Sequence, residues 1–348
     1  MKYSFRNDYS ELVHPLILDA LKNAGTAQLD GYGLDVFCRD AAELIKEKFK
    51  APDADVHFIS GGTLTNLLVI SSALRPHESV IAVQTGHIFV HETGAIEATG
   101  HKVCTRTGYD GKLAVSDIES VLDEHEDEHM VKPRLVYISQ STEGGTVYNK
   151  AELTAISEFC RSNELYLYVD GARFGAALNT TACDLEYADF ARLVDAVFVG
   201  GTKNGALFGE AVVIFNDALK PDFRYLMKQR GALLAKSSAM GLQFKALFTD
   251  GLYDKLARQS NETASYLAGG IQALGYKLLF EAQTNFVVPV LPTDISQKMG
   301  ELYGFYEWAK VESDVAVRLV ISWATEKSAV DEFLADLKGL TAVTFGGK

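Results

Sequence analysis

A lysine that follows an apolar run and lies between glycines is an unusual place for a solvated charge. Val197-Phe198-Val199-Gly200-Gly201-Thr202-Lys203-Asn204-Gly205 is such a stretch. Desolvation lowers the pKa of an ammonium and frees its amine as a nucleophile, so Lys203 is suited to covalent chemistry at a carbonyl. Upstream, Tyr168-Val169-Asp170-Gly171-Ala172-Arg173 ends another apolar run on an aspartate. A carboxylate buried there needs a positive partner. Two partners remain open: a protonated ring nitrogen of a bound cofactor, or a structural ion pair with Arg173. If Arg173 is free, its planar fork suits a substrate carboxylate.

Two further stretches could work with these. Ser60-Gly61-Gly62-Thr63 follows a strand pattern and opens a helical one. Gly61 and Gly62 let the backbone approach an anion, the first helical N–H groups point at it, and Thr63 adds a hydroxyl. A merely structural turn would read the same way. In Gly86-His87-Ile88-Phe89-Val90-His91-Glu92, the imidazole of His87 could lie flat on a cofactor ring while His91 and Glu92 reach into the same cleft. His87 and His91 also share a helix face, which invites a metal reading, but no third ligand is evident nearby. His91 reads equally as a structural histidine. His125 and His129, in the acidic run Asp123–His129, share a face as well; that run reads as a solvated helix end before Lys132-Pro133.

The elements that must position these groups alternate. Strand patterns at Asp55–Ile59, Ser79–Val83, His101–Arg106, Arg134–Ser139, Leu165–Val169, Ala196–Val199 and Glu210–Phe215 are separated by helical ones. The helices are expected at Ala41–Phe49, Thr63–Leu74, Ile88–Ala98, Val115–Glu128 and Ala151–Asn163. This implies an α/β fold with a mostly parallel sheet between helices, whose ligands sit at the C-terminal strand ends. Beyond residue 221 the pattern shifts to long helices near 232–249 and 253–274, strands near 284–290 and 315–321, and a last helix from Glu326. We therefore expect an N-terminal segment (1–30) crossing both parts, a large domain (31–250) and a small C-terminal α+β domain (251–348).

Composition narrows the partners. With 33 Lys and Arg against 46 Asp and Glu, the net charge is −13, and no basic stripe suits a nucleic acid backbone. No apolar run approaches the ~20 residues that span a bilayer, and the first residues lack a secretory apolar stretch. Four cysteines (Cys38, Cys104, Cys160, Cys183) include no CxxC pair, which fits a reducing compartment. The expectation is a cytoplasmic protein that binds no nucleic acid, membrane or metal.

The order of these motifs (anion loop, ring-facing histidine, D-G-A-R, strand-G-x-x-K) resembles the fold-type I enzymes that use pyridoxal 5′-phosphate. The specific resemblance is to the threonine aldolase / β-eliminating lyase family. It runs from Phe5-Arg6-Asn7-Asp8 through Tyr32-Gly33, Ser60–Asn66, His87–Glu92 and Asp170–Arg173 to Thr202–Leu207 and Arg318-Leu319-Val320. Thr142–Thr146 and Glu210-Ala211-Val212-Val213 are similar to its low-specificity branch.

The resemblance implies phosphate binding by Gly61, Gly62 and Thr63, ring stacking by His87, and a ring-nitrogen contact from Asp170. It implies a Schiff base on Lys203 beside Thr202, and Arg173 and Arg318 on the substrate carboxylate. It also implies a homodimer or homotetramer, with Lys236 in the basic stretch Lys228–Lys236 serving a neighbour's phosphate. The activity implied is retro-aldol cleavage of threonine, allo-threonine and related β-hydroxy amino acids to glycine and an aldehyde. β-Elimination or racemisation on the same scaffold is the alternative.

Two departures stand out. The family's serine before the N-terminal aspartate is Asn7 here. The histidine of its Asn-Thr-His stretch is absent from Gln140-Ser141-Thr142-Glu143, which leaves His87, His91, Glu92 or a water as the base. From other classes, a metal-dependent hydrolase on His87, His91 and Glu92, and a silent binding protein, stay open.

Overall fold

The computed structural model describes residues 1–345. Its centre is a seven-stranded sheet of β1 (Asp55–Ile59), β2 (Glu78–Val83), β3 (Val103–Arg106), β4 (Lys132–Ser139), β5 (Tyr166–Asp170), β6 (Ala196–Gly200) and β7 (Glu210–Ile214). The spatial order is β1-β7-β6-β5-β4-β2-β3. Only β7 runs against its neighbours, between β1 and β6. Strands buried on both faces read as continuous apolar runs, as β6 (Ala-Val-Phe-Val-Gly) does. Alternate residues enter opposite cores: Val136, Ile138, Leu167, Val169, Val197 and Val199 face one cluster, and Leu135, Tyr137, Tyr168, Ala196 and Phe198 the other.

Register brings the chemistry together. Ser139 pairs with Asp170, and Val169 with Val197, so the C-terminal ends of β4, β5 and β6 lie side by side. β1 shares their direction and delivers Ser60-Gly61-Gly62 to the same edge.

A smaller sheet has β11 (Asp314–Val320) at its centre, flanked by β8 (Phe286–Val287), β9 (Val290–Pro292) and β10 (Tyr306–Val311), all antiparallel to it. Helix Leu252–Ala273 joins the two parts: Tyr253 and Leu256 pack in the large core, Leu267 and Ile271 in the small one. The first residues do the same from the other end. Tyr3–Ser4 adds in parallel to Tyr303–Gly304, Phe5 is buried in the small core and Ile17 in the large one.

Most expected elements form within one or two residues of their sequence patterns. Three do not. Ile88–Ala98 holds only the turn His87–Val90 and a short 3₁₀ piece at Glu97–Thr99, because Thr93 (φ +53°) and Gly94 (φ +72°) adopt the left-handed conformation that ends a helix. Val115–Glu128 stops at Glu124, where His125 turns its Nδ1 onto the carbonyl of Val121 at 2.8 Å. The helix expected from 232 begins at Ser238, because the chain first makes a turn in which Ala235 O accepts from Tyr32 N. Helices Pro15–Ala24, Phe223–Gln229 and Thr293–Leu302 and strand β10 were not expected. Among the described residues, no helix is long and apolar enough to cross a membrane.

Candidate active site

Asp170 closes β5 and is buried, with 4% of its surface exposed. Its Oδ1 accepts from Ala172 N at 2.9 Å, and its Oδ2 from Tyr137 OH at 2.6 Å and Asn66 Nδ2 at 3.0 Å. All three donors are neutral, so the ion pair with Arg173 that the sequence left open does not form. Burial and the adjacent carboxylate push the Tyr137 phenol well up, so it keeps its proton and donates.

Asn66 lies in the second turn of helix Gly62–Ala73, and its other amide hydrogen goes to Glu92 Oε1 at 2.7 Å. The same oxygen lies 2.8 Å from His87 Nδ1, which must therefore be the donor. Asp170, Asn66, Glu92 and His87 thus form one connected chain. Burial disfavours the imidazolium of His87, but Glu92, with Asp170 and Glu143 nearby, outweighs it and raises its pKa. One oxygen of Glu92, Oε2, is buried with no partner.

Lys203 leaves β6 through a loop that only glycine can build: a Cβ on Gly200 would sit 2.2 Å from the carbonyl oxygen of Ala172. Asn204 Nδ2 anchors the loop to Tyr253 O at 2.9 Å. Desolvation lowers the pKa of Lys203 and Arg173 adds to it, while Asp8, Glu143 and Asp170 pull the other way without prevailing. Behind the loop, buried Glu210 accepts from Gly201 N at 2.8 Å and from Thr202 Oγ1 at 2.7 Å, and burial pushes its carboxyl up to about 7.

Gly61 and Gly62 begin the 12-residue helix Gly62–Ala73 at the same sheet edge. A Cβ on Gly62 would touch the Phe198 ring at 3.4 Å. Thr63 is exposed, with its hydroxyl open to a ligand.

Above this floor is a cleft of about 640 Å³ whose wall includes Asn7, His87, His91, Arg173, Lys203 and Arg318. Arg173 is already engaged: its Nε and Nη2 donate to Asp8 at 2.6 and 3.0 Å. Asn285 Nδ2 also donates to Asp8, at 2.9 Å. Burial opposes the Asp8 charge, but Arg173 and Lys203 overcome it and hold the carboxyl low. Arg318 lies over the rings of Trp308 (5.2 Å) and Phe286 (5.3 Å), and Arg173 over Phe286 at 4.4 Å. The nearest carboxylate to Arg318, Glu143 Oε2, is 3.7 Å from its Nη1, and its buried Nε has no hydrogen-bond partner. Arg318 lines the cleft with its guanidinium only weakly paired, which makes it a place for an incoming anion.

The remaining sequence candidates sit less centrally. Asn7 Oδ1 is spent on Tyr9 N and Ser10 Oγ, so only its Nδ2 is left to donate. His91 is exposed at the rim, its ring 5.5 Å from that of His87, and desolvation lowers its pKa. Lys236 is exposed and does not line this chain's cleft. His125 and His129 part company: the Nε2 of one faces Cys104 Sγ at 3.5 Å, and the other meets Asp127. Among the described residues, no group of three His, Cys, Asp or Glu side chains is placed to hold a metal. Sequence reasoning did not single out Asp8, Asn66, Tyr137, Glu143 or Glu210 for the site. Asp8 and Asn66 lay inside quoted motifs, whereas nothing in the pattern around Tyr137 marked it.

Comparison with known proteins bears on this geometry. Residues 20–293 match the family model described as "Beta-eliminating lyase". The chain is 32% identical to a low specificity L-threonine aldolase of Pseudomonas sp. over 97% of both chains. It is 30% identical to that of Pseudomonas aeruginosa over 96% of both. The structure of Leishmania major threonine aldolase superposes with a TM-score of 0.96 at 50% identity, covering 98% of this chain and all of that one. A Thermus thermophilus aspartate aminotransferase, at 13% identity and a TM-score of 0.74, shares the fold alone.

Proposed function

Because the chain belongs to the β-eliminating lyase family, we propose that it is a threonine aldolase. In this reading it uses pyridoxal phosphate to cleave L-threonine, L-allo-threonine and related β-hydroxy amino acids to glycine and an aldehyde. The observation that carries the cofactor reading is Asp170, a buried carboxylate met only by neutral donors and poised beside a desolvated lysine. A protonated ring nitrogen supplies the charge that Asp170 lacks, and an aldehyde suits the amine of Lys203. Gly61, Gly62 and Thr63 offer helix N–H groups and a hydroxyl to a phosphate. The donor set therefore fits the group.

When bound, the cofactor supplies an electron sink for the pair released as the Cα–Cβ bond breaks. The protein's part is to hold charge and geometry. Asp170 keeps the proton on the ring nitrogen, stiffened by Tyr137 and Asn66. His87, oriented through Nδ1 by Glu92, would flank the ring. Arg318, which lines the cleft and is only weakly paired with Glu143, takes the substrate carboxylate. Arg173 shares that task only through what Asp8 leaves of its fork, and Asn7 Nδ2 can add a neutral donor. Two fixed points on the carboxylate orient the bond to be broken, which is where positioning contributes to rate.

The enzyme of this reading works in the cytoplasm as a homodimer or homotetramer. Leu12, Leu16, Leu18 and Leu34 are more than half exposed, an apolar surface that a second copy would cover. Lys236, exposed on its own chain, then serves the phosphate in a neighbour's site.

Glycine and acetaldehyde release from L-threonine tests the activity. Borohydride should trap a covalent adduct on Lys203, and Lys203→Ala should lower turnover by at least about 1000-fold. An adduct on another lysine, or no glycine from any β-hydroxy amino acid, would overturn the reading.

A further inference from the structure

The turn Thr142-Glu143-Gly144-Gly145-Thr146 has no role in the mechanism above, yet it is built as firmly as the floor of the site. Thr142 N donates to Thr146 O at 2.9 Å, and the two threonine hydroxyls meet at 2.7 Å. Thr146 Oγ1 lies 2.7 Å from Asp110 O, and Thr284 Oγ1 donates to Gly145 O at 2.8 Å. Gly145 sits at φ +87°, where a side chain would also strike Phe286. Thr142 and Thr146 are buried. The construction delivers one functional group to the cleft, the carboxylate of Glu143, whose side chain is 11% exposed.

The cleft is rich in donors and poor in acceptors. Lys203, Arg173, Arg318 and His87 all donate. A β-hydroxy amino acid brings a carboxylate for the arginines and an amine for the cofactor, but its hydroxyl proton requires an acceptor. Asn7 Oδ1 is already used twice. Glu92 is fully enclosed, and Oε1, the one of its oxygens that makes bonds, is shared between Asn66 and His87. Gln84, His91 and Glu307 line the cleft but are exposed to water. Glu143 is the acceptor that is both shielded and carried on a fixed turn.

We propose that Glu143 accepts the hydrogen bond of the substrate's β-hydroxyl and so makes the cleft selective for β-hydroxy amino acids. The proposal rests on the aldolase reading. Its weak pairing with Arg318, at 3.7 Å, fits the role: the guanidinium stays available to the substrate carboxylate while neutralising a carboxylate that would otherwise repel it. Glu143 therefore acts on the side chain of the substrate and not on the part common to all amino acids.

Glycine has that common part and no hydroxyl, which gives the control. The holoenzyme, Glu143→Gln and Glu143→Asp are compared in threonine cleavage, in exchange of the glycine α-proton with D₂O, and in the dissociation constant for glycine. The ratio of cleavage to exchange should fall about 10- to 100-fold in Glu143→Gln, the size expected for losing a charged acceptor. It should fall less in Glu143→Asp, which keeps the carboxylate, and the glycine dissociation constant should hold or fall. An unchanged ratio in both variants overturns the proposal. So does a glycine dissociation constant that rises by the same factor as cleavage is lost, which would make Glu143 a support for Arg318. A ratio that collapses in His91→Asn and not in Glu143→Gln overturns it in favour of the rim histidine. A wild-type enzyme that exchanges glycine but never cleaves threonine overturns the aldolase reading itself, a result distinct from any of these.

Discussion

The floor and the mouth of the cleft are built on opposite principles. The floor is a connected network: Asp170, Tyr137, Asn66, Glu92 and His87 are joined by bonds of 2.6 to 3.0 Å and come from strands or the short segments that follow them, with Glu92 Oε2 left unpaired. The mouth is made of charged groups from distant parts of the chain. Asp8 meets Arg173 across 165 positions, and Arg318 stacks on Phe286 and Trp308 with one nitrogen unpaired. A densely bonded buried network holds one geometry, whereas a sparsely bonded charged one leaves room for a ligand to complete it. Rigid chemistry below and an incomplete clamp above is what a bound cofactor and an exchanging substrate each require.

Asp170→Asn breaks the floor and should have the largest effect. The amide cannot hold a proton on the ring nitrogen, so kcat should fall about 10²–10⁴-fold with KM little changed. Steady-state kinetics checks this, and equal losses in kcat/KM through KM alone would move Asp170 to the mouth. Asp8→Ala breaks the mouth. It strands a buried guanidinium, a loss of about 3–5 kcal/mol in stability by denaturant titration. A loss below about 1 kcal/mol would mean that Arg173 relaxes into solvent and the mouth is looser than drawn.

Glu210 sharpens the comparison, because it is a floor residue whose charge is not settled. Its folded pKa, about 7, is raised above the ordinary 4.5 by burial. A raised acid binds its proton more tightly when folded. Its contribution is therefore fully present below pH 4.5 and is lost as pH rises to 7, on the order of 3 kcal/mol in all. Glu210→Gln should flatten the stability profile between pH 5 and 8, measured on the apoenzyme by chemical denaturation.

The same division decided what the sequence disclosed. Lys203, Asp170, His87 and the Gly61-Gly62 pair were legible because each ends an apolar run, and a short pattern marks a strand end. The strands themselves were legible for the same reason, since β4, β5 and β6 are buried on both faces. Tyr137 lies within such a run and reads as core; its hydroxyl role depends on the register that sets β4 beside β5. Glu143 and Asp8 acquire meaning only from Arg318 and Arg173, which local pattern cannot place. Ile88–Ala98 misled because its apolar spacing is helical while Thr93 and Gly94 are not.

The first residues of the chain carry a consequence for how the protein matures. Tyr3–Ser4 adds to Tyr303–Gly304, Val320 N bonds to Phe5 O at 2.9 Å, and Asp8 accepts from Asn285. A segment made early thus waits for one made far later. The large sheet can assemble during synthesis, but the clamp over it cannot close until the strand through Val320 has been made. Contacts of such sequence separation form slowly. Substrate-binding competence should therefore appear late in refolding, after the large core has formed, and a nascent chain stalled before Asn285 would lack the amide that fixes Asp8 beside Arg173.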